Sequence, residues 1–408
     1  MQCDEVWPEC SFCSTRVIRC TYPSPRSDDS TVVSSSSSVS CEPAFDNFPV
    51  EDTGEELALS PLYSYSLPQI LSKELSPTDL RVMHHVSTIL MLRSVVLLQS
   101  YSQYSCSTLL ILDQWSTFTW STVGLSETPM NKVLQFVVPE LAFETSFLMN
   151  AMLGIASLHM QQLLPDPTQS QKQTMIYRAR ALKQYRQALP LMDTNSDQYD
   201  AALIMALLLV VLCSQDYIAD NEELIVVKWI FLYGGMQTVM KLGDIETIPS
   251  RKVGPIFNRY ITEVKLTPTI PSSLLNMVAC ITPLDPDYAY LEFYCKTLDD
   301  LAVVYASLVQ DGLGNALSLR VITWPTYVST EFANLAKEKH PRALIILAHY
   351  LVFTKLVSHL WWVDGVADRD ISIIARGISP EWLSFLKMPL EAISLTKAED
   401  IVQLLLRQ

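Results

Sequence analysis

A chain of 408 residues is longer than one small core requires, and 49% hydrophobic residues with only 11 glycines favour helices over a glycine-rich sandwich. The formal net charge of −14 excludes a protein that coats its whole surface with nucleic acid. The charge is also uneven. Residues 1–26 set Arg16, Arg19 and Arg26 against Asp4, Glu5 and Glu9, residues 27–60 carry eight acids and no Lys or Arg, and the remainder nets −6.

The first 25 residues hold four of the nine cysteines, Cys3, Cys10, Cys13 and Cys20, in the spacing C-x6-C-x2-C-x6-C. Met1 leads into polar, cysteine-rich sequence rather than a basic stretch and an apolar core, so no secretory signal is expected. In a reducing compartment, cysteines so clustered favour metal over disulfides, and four thiolates suit tetrahedral Zn. Residues 26–60 are acidic and Ser-rich, with the run Ser34–Ser38. Such a segment buries too little apolar surface to offset its ordering entropy and is expected to be a disordered linker. It contains no heptads, so a homodimer has no coiled coil there to rest on.

Residues 61–408 read as one all-α domain. Leu148, Ala151, Met152, Ile155 and Leu158 repeat at three and four residues and predict an amphipathic helix. Ile176, Ala179, Leu182, Tyr185 and Ala188–Leu189 do the same, with Arg178, Arg180, Lys183 and Arg186 opposite and Pro190 near the end. Asp200 to Cys213 is apolar all round and predicts a central helix. Its run Ala201–Cys213, 13 residues, is the longest apolar stretch and too short to span a bilayer, so no membrane span is expected. Pro341 suits a first turn and predicts a helix over Arg342–Val363. Long loops are expected near 164–170, 243–290 and 311–330.

Catalytic patterns are missing. The chain has no Gly-x-Ser-x-Gly elbow, no His-Glu-x-x-His and no P-loop, and Gly312-x-Gly314 lacks a third glycine and a preceding strand. None of His84, His85, His159, His340, His349 and His359 forms a metal-binding helical pair. His159, near the end of an apolar helix, is expected to be a core or capping residue. No enzyme is expected. Trp361, Trp362 and Trp382, at helical spacing, are expected to be packing residues rather than a ligand cage.

Cys3-Asp4-Glu5, Pro8, Cys10, Cys13 and Cys20-Thr21-Tyr22-Pro23 together resemble the second half of a fungal Zn(II)2Cys6 binuclear cluster. In that family six thiolates hold two Zn ions, two of them bridging. The resemblance implies that Cys10, Cys13 and Cys20 belong to one metal and Cys3 to the other. The family's first two cysteines and the basic stretch after them would precede Cys3, where only Met1 and Gln2 stand, so the true start is expected upstream. That basic stretch supplies the family's DNA contacts, so DNA is the implied partner but this chain is expected to bind it poorly.

The likeness continues over roughly residues 75–85 and 118–393. Val138-Pro139-Glu140-Leu141-Ala142-Phe143 and Phe147 through His159 resemble the core motif of fungal-specific regulator domains. Tyr177–Leu189 is similar to a basic amphipathic helix of the sterol-uptake-control branch, Leu232–Met236 to a Leu-Tyr-Arg-Gly turn, and His340–Leu344, Trp361–Trp362 and Glu381–Trp382 to closing helices. The resemblance implies a helical effector domain and a nuclear, zinc-cluster, RNA polymerase II-type regulator of sterol or secondary-metabolite genes. An apolar ligand such as a sterol and a homodimer are partners it allows. The alternative is a helical ligand- or protein-binding module without DNA contact.

Family-like sequence runs to Met83-His84-His85 and resumes at Phe118-Thr119-Trp120. Val86–Thr117 between them holds one Arg and one Asp among 32 residues. It begins Val-Ser, which the codons GTN-AGY of a 5′ splice signal can encode, so residues 86–117 are expected to be a retained-intron insertion. The competing expectation is a helix with Ile89, Leu92, Val96 and Leu97 on one side.

Overall fold

The computed structural model of the protein describes residues 111–124, 128–163, 168–214, 223–257, 263–266 and 270–407. These fall in one unit, Leu67–Gln408, and among them the chain is all-α with no strand. The cysteine segment 1–25, the acidic segment 26–60 and residues 61–110 lie outside the described residues. The principal helices are α1 (residues 111–123), α2 (128–144), α3 (Ser146–Leu163), α4 (Thr168–Ala188), α5 (Asp197–Cys213), α6 (Ile225–Met240) and α7 (Ser272–Ala279). They continue as α8 (Leu291–Asp311), α9 (Asn315–Thr323), α10 (Thr330–Lys337), α11 (Pro341–Thr354), α12 (Val366–Gly377), α13 (Lys387–Ile393) and α14 (Ala398–Leu406).

Helix α5 has no polar face after its first turn. Every residue from Tyr199 to Leu212 except Leu207 is buried, and α2, α3 and α6 pack around it. A helix apolar all round has to be enclosed on every side. Its acidic first turn, Asp197 and Asp200, suits the positive end of the helix dipole. Helices α3 and α4 lie antiparallel. Asn150 Nδ2 donates to Gln184 Oε1 (3.0 Å), Ser157 Oγ to the Ser170 carbonyl (2.9 Å) and Gln161 Nε2 to Thr174 Oγ1 (2.7 Å). Gly154 sits where α3 crosses α5. A Cβ there would lie 2.9 Å from Leu212 Cδ1 and 3.5 Å from Tyr177 Cβ, so a side chain would require the end of Leu212 to move.

Two π turns interrupt the first helices, Trp115–Thr119 in α1 and Val133–Val137 in α2. The second has a local cause. Pro139 has no N–H, and its ring would meet the carbonyl four residues back in a regular α-helix. The wider turn, in which the Val138 N–H reaches the Val133 carbonyl, brings the chain past it.

Several expected bounds are corrected. The loop expected over 311–330 contains α9, whose Leu317, Leu319 and Val321 are all buried. Leu317, Val321 and Trp324 recur at four and three residues, a helical period that the loop expectation overlooked, and α8 and α11 enclose the helix. The loop expected over 243–290 holds α7 and short turns at Ile245–Ser250, Gly254–Phe257 and Pro286–Tyr290. The helix predicted over Arg342–Val363 starts at Pro341 and ends at Thr354. The chain turns after it, which brings Trp361 and Trp362 against α1. Leu232–Met236 is no turn but the interior of α6, with Gly234 and Gly235 both helical.

The last residues of the expected insertion 86–117 are described and pack in the core. Ile111, Leu112 and Trp115 are buried in the core, Trp115 with no exposed surface. Residues 86–110 lie outside the described residues. Excising 86–117 as a block takes a core tryptophan with it. Trp115→Ala alone is expected to cost about 3–5 kcal/mol, from lost transfer energy and the cavity left behind. Chemical denaturation measures it. A loss under about 1 kcal/mol shows that Trp115 is not a core residue.

Candidate functional site

The four cysteines that the spacing marks as Zn ligands, Cys3, Cys10, Cys13 and Cys20, lie outside the described residues. Among the described residues no group of three or more His, Cys, Asp and Glu is placed to hold a metal. Cys213 is half-buried, and Cys280 and Cys295 are exposed thiols. Burial, aided by the Asp299 carboxylate, pushes the Cys295 thiol up, away from the thiolate form. Among the described residues no helix is long and apolar enough to cross a membrane.

The tryptophans are packing residues. Trp361 Nε1 donates to Thr122 Oγ1 (3.0 Å) and Trp362 Nε1 to the Val123 carbonyl (2.9 Å), which ties the turns after α11 to the end of α1. Trp362 meets Trp229 edge to face at 5.8 Å, and Trp382 stacks under the Arg342 guanidinium at 5.0 Å. None of these rings forms a cage around open space. His159 is a core residue. It shares a hydrogen bond with Thr119 Oγ1 through Nδ1 (3.0 Å) and stacks on Trp361 at 5.0 Å, and burial lowers its pKa. Burial also holds His349 down at about 4, against the opposing effect of the Phe385 carbonyl, to which its Nε2–H donates at 3.0 Å. Neither ring is placed as a base that substrate can reach.

Three arginine–aspartate groups sit at helix ends. Arg251 pairs with Asp200 in the first turn of α5 and donates to the carbonyls of Thr194 (3.1 Å) and Ser196 (2.8 Å) just before it. Its guanidinium also lies 5.1 Å from the ring of Tyr199, whose hydroxyl donates to the Met240 carbonyl at the end of α6 (3.0 Å). Arg342, in the first turn of α11, binds Asp285 (2.7 Å) and Asp287 (2.6 Å). Asp370 of α12 has no exposed surface. Its Oδ2 accepts the Val226 N–H at the start of α6 (2.9 Å), and its Oδ1 pairs with Arg369 (2.6 Å). These are structural locks, and sequence periodicity misses them. The signal available was an acid inside an apolar helix period, as at Asp370, which shares a face with Val366, Ala367 and Ile374.

Two hollows remain. One, of about 360 Å³, lies between the start of α6, the ends of α10 and α12 and the first turn of α11. The other is a polar cleft of about 510 Å³ lined by α6, α8 and α10, with Lys241, Lys296, Asp300 and Glu331 around it. Asp300 is pushed up to about 6, by burial first and by Asp299 second, with Lys296 opposing.

Burial raises the Asp370 carboxyl to about 6 in the folded chain, against an unfolded value near 4. Between those values the folded state holds the extra proton, so stability falls as pH rises through the window and is level above it. Asp370→Asn keeps an acceptor for the Val226 N–H and removes the titration. The variant is therefore expected to gain on the wild type as pH rises from about 4 to 6. Denaturation midpoints across that range check it, and parallel curves refute it.

Residues 75–249 match the family model described as "Fungal specific transcription factor domain". A "Zn(2)-C6 fungal-type transcription factor" of Gibberella zeae is 22% identical over 96% of this chain and 82% of its own length. "Sterol uptake control protein 2" of Saccharomyces cerevisiae is 23% identical over 63% of this chain, which spans 29% of that protein. The matched segment runs from before α1 through the end of α6, so it includes α5 and the helices that enclose it. The match over residues 75–249 and the names of these relatives support a transcriptional regulator rather than an enzyme.

Proposed function

We propose that the protein is a nuclear, zinc-cluster regulator of RNA polymerase II transcription, with the helical unit as its effector domain. The observation that carries this is one chain holding both parts. Cys3, Cys10, Cys13 and Cys20, closing on Thr21-Tyr22-Pro23, precede a fungal specific transcription factor domain. The relative named for sterol uptake control supports sterol genes as targets, and secondary-metabolite genes are the other class in keeping with the resemblance. The donor set fits zinc. Cys3, Cys10, Cys13 and Cys20 are an incomplete set for the family's two ions and would hold at most one, centred on Cys10, Cys13 and Cys20, and the ion would supply folding energy rather than catalysis.

A second reading is favoured by the charge of the N-terminal segment. Residues 1–26 net zero and residues 27–60 net −8, so few cations are present to release counterions from phosphate. On this reading the regulator acts through a protein partner. A gel shift near physiological salt separates the two, since tight, sequence-dependent binding by this chain requires direct contact with DNA.

The regulator reading itself is tested by tethering. The chain fused to an unrelated DNA-binding domain is expected to raise or lower transcription of a reporter bearing that domain's site. An unchanged reporter, with the fusion present in the nucleus, refutes it. Zinc is tested on the purified chain. With four thiolates, no more than one zinc per chain is expected, readily lost to a chelator and absent after Cys10→Ala with Cys13→Ala. Two tightly held ions per chain exclude the single four-thiolate site.

A further inference from the structure

We infer that the outer side of α4 is a docking surface for an acidic amphipathic peptide, a segment of a partner protein whose carboxylates flank apolar side chains. This goes beyond the proposed function and holds whether or not the chain contacts DNA itself. Helix α4 carries Lys172, Arg178, Arg180, Lys183 and Arg186 and no acid among its 21 residues. Lys172, Met175, Ala179, Lys183 and Arg186 recur at three and four residues, which sets them along one side of the helix with Arg180 beside them. All six are exposed, Met175 by 57%. From Lys172 to Arg186 the stripe runs about 21 Å, at roughly 1.5 Å per residue. Arg178 is half-buried and lies off this side.

The elements packed against α4 do not neutralise it. Helix α3 has no Asp, Glu, Lys or Arg. In α5, Asp197 is engaged by Lys252 (2.9 Å) and Asp200 by Arg251. Asp193, in the turn between α4 and α5, accepts the Asn195 N–H (2.9 Å). Among the described residues no ion pair reaches Lys172, Arg180, Lys183 or Arg186. Arg180, Lys183 and Arg186 stand three residues apart, so each repels the next along the helix.

Two simpler accounts fall short. A cation at a helix C-terminus offsets the helix dipole, but that effect is confined to the last turn and covers Arg186 and not the others. Surface charge keeps a protein soluble, but in a chain of net charge −14 added cations bring the net charge nearer zero. The partner's chemistry follows from the arrangement. Cations at both ends of the stripe, with exposed Met175 and Ala179 between them, match carboxylates on either side of an apolar side chain. A nucleic acid would use the cations but gain nothing from Met175 and Ala179, and the chain's overall charge repels a long polyanion more than a short peptide.

The test is fluorescence anisotropy with the full chain at physiological salt. The probe is a labelled peptide of about fifteen residues, enough to span the stripe as a helix, built of Asp and Glu with leucine at every third or fourth position. Its controls are the same peptide with serine for leucine and a duplex DNA of matched charge. Saturable binding of the leucine peptide is expected, with the serine peptide and the DNA each about tenfold weaker or more. Arg180→Glu, Lys183→Glu and Arg186→Glu together are expected to weaken the leucine peptide about tenfold or more, with circular dichroism unchanged because all three side chains are exposed. Lys241→Glu, Lys387→Glu and Lys397→Glu together change the net charge equally at exposed sites elsewhere, and are expected to leave the affinity unchanged. Met175→Ser is expected to weaken the leucine peptide and not the serine peptide. No saturable binding of the leucine peptide, equal affinity for the serine peptide, or equal loss in the two triple variants would each overturn the proposal. DNA bound as tightly as the leucine peptide would overturn it too, and assign the face to nucleic acid.

Discussion

The structure depends on one constraint: helix α5 cannot face water. From Ala201 to Leu212 it has no charged side chain, and all but Leu207 are buried. At roughly 1.5–3 kcal/mol for each large aliphatic side chain, leaving one face open would expose several such residues at once. The helices around it are consequences. Helix α3 supplies an apolar stripe and a glycine at the crossing, α6 supplies Trp229, Ile230 and Tyr233, and α2 supplies Val138 and Leu141. Helix α4, polar and basic on its outer side, forms the boundary with solvent beyond α3.

Apolar burial is non-directional and does not choose where helices stop. The arginine–aspartate groups supply that choice. Arg251 gathers the carbonyls ahead of α5 and the carboxylate in its first turn, while Tyr199 carries the link to the last turn of α6. Arg342 does the same at the entry to α11, and Asp370 joins α12 to the start of α6. In each group a largely buried charge is both paired and hydrogen-bonded, the condition under which burial of charge is tolerated. Breaking one partner would leave the other uncompensated, so these groups fix helix ends more firmly than isolated surface pairs do.

What the sequence revealed follows the range of its signals. Helices α3, α4 and α5 are long and strongly patterned, and their positions were legible within a few residues. Helix α9 was not, because its period, Leu317, Val321 and Trp324, is short and follows Gly312 and Gly314, which read as loop. The end of α11 was overrun because Ala343 to Phe353 is followed by more apolar sequence, and only the tryptophan contacts with α1 mark the stop. The cavity was invisible to spacing. Leu224, Lys339 and Arg376 are far apart in the chain, and nothing local signals their convergence. The metal-binding pattern at Cys3 to Cys20 is the opposite case, dense in sequence signal but outside the described residues.

The π turn ahead of Pro139 couples two kinds of change that are ordinarily independent. An α-helix can lose two full turns, about seven residues, and still present the same side to its neighbours. Helix α2 cannot be shortened so freely. Losing one residue between 133 and 137 would tighten the turn and drive the proline ring onto the carbonyl before it. Losing the proline alone would leave a wide turn with nothing to accommodate. Only the pair of changes restores a plain helix. In lineages descended from this chain, a one-residue deletion here and the replacement of Pro139 should therefore be inherited together, a length change and a substitution linked by the geometry of one turn.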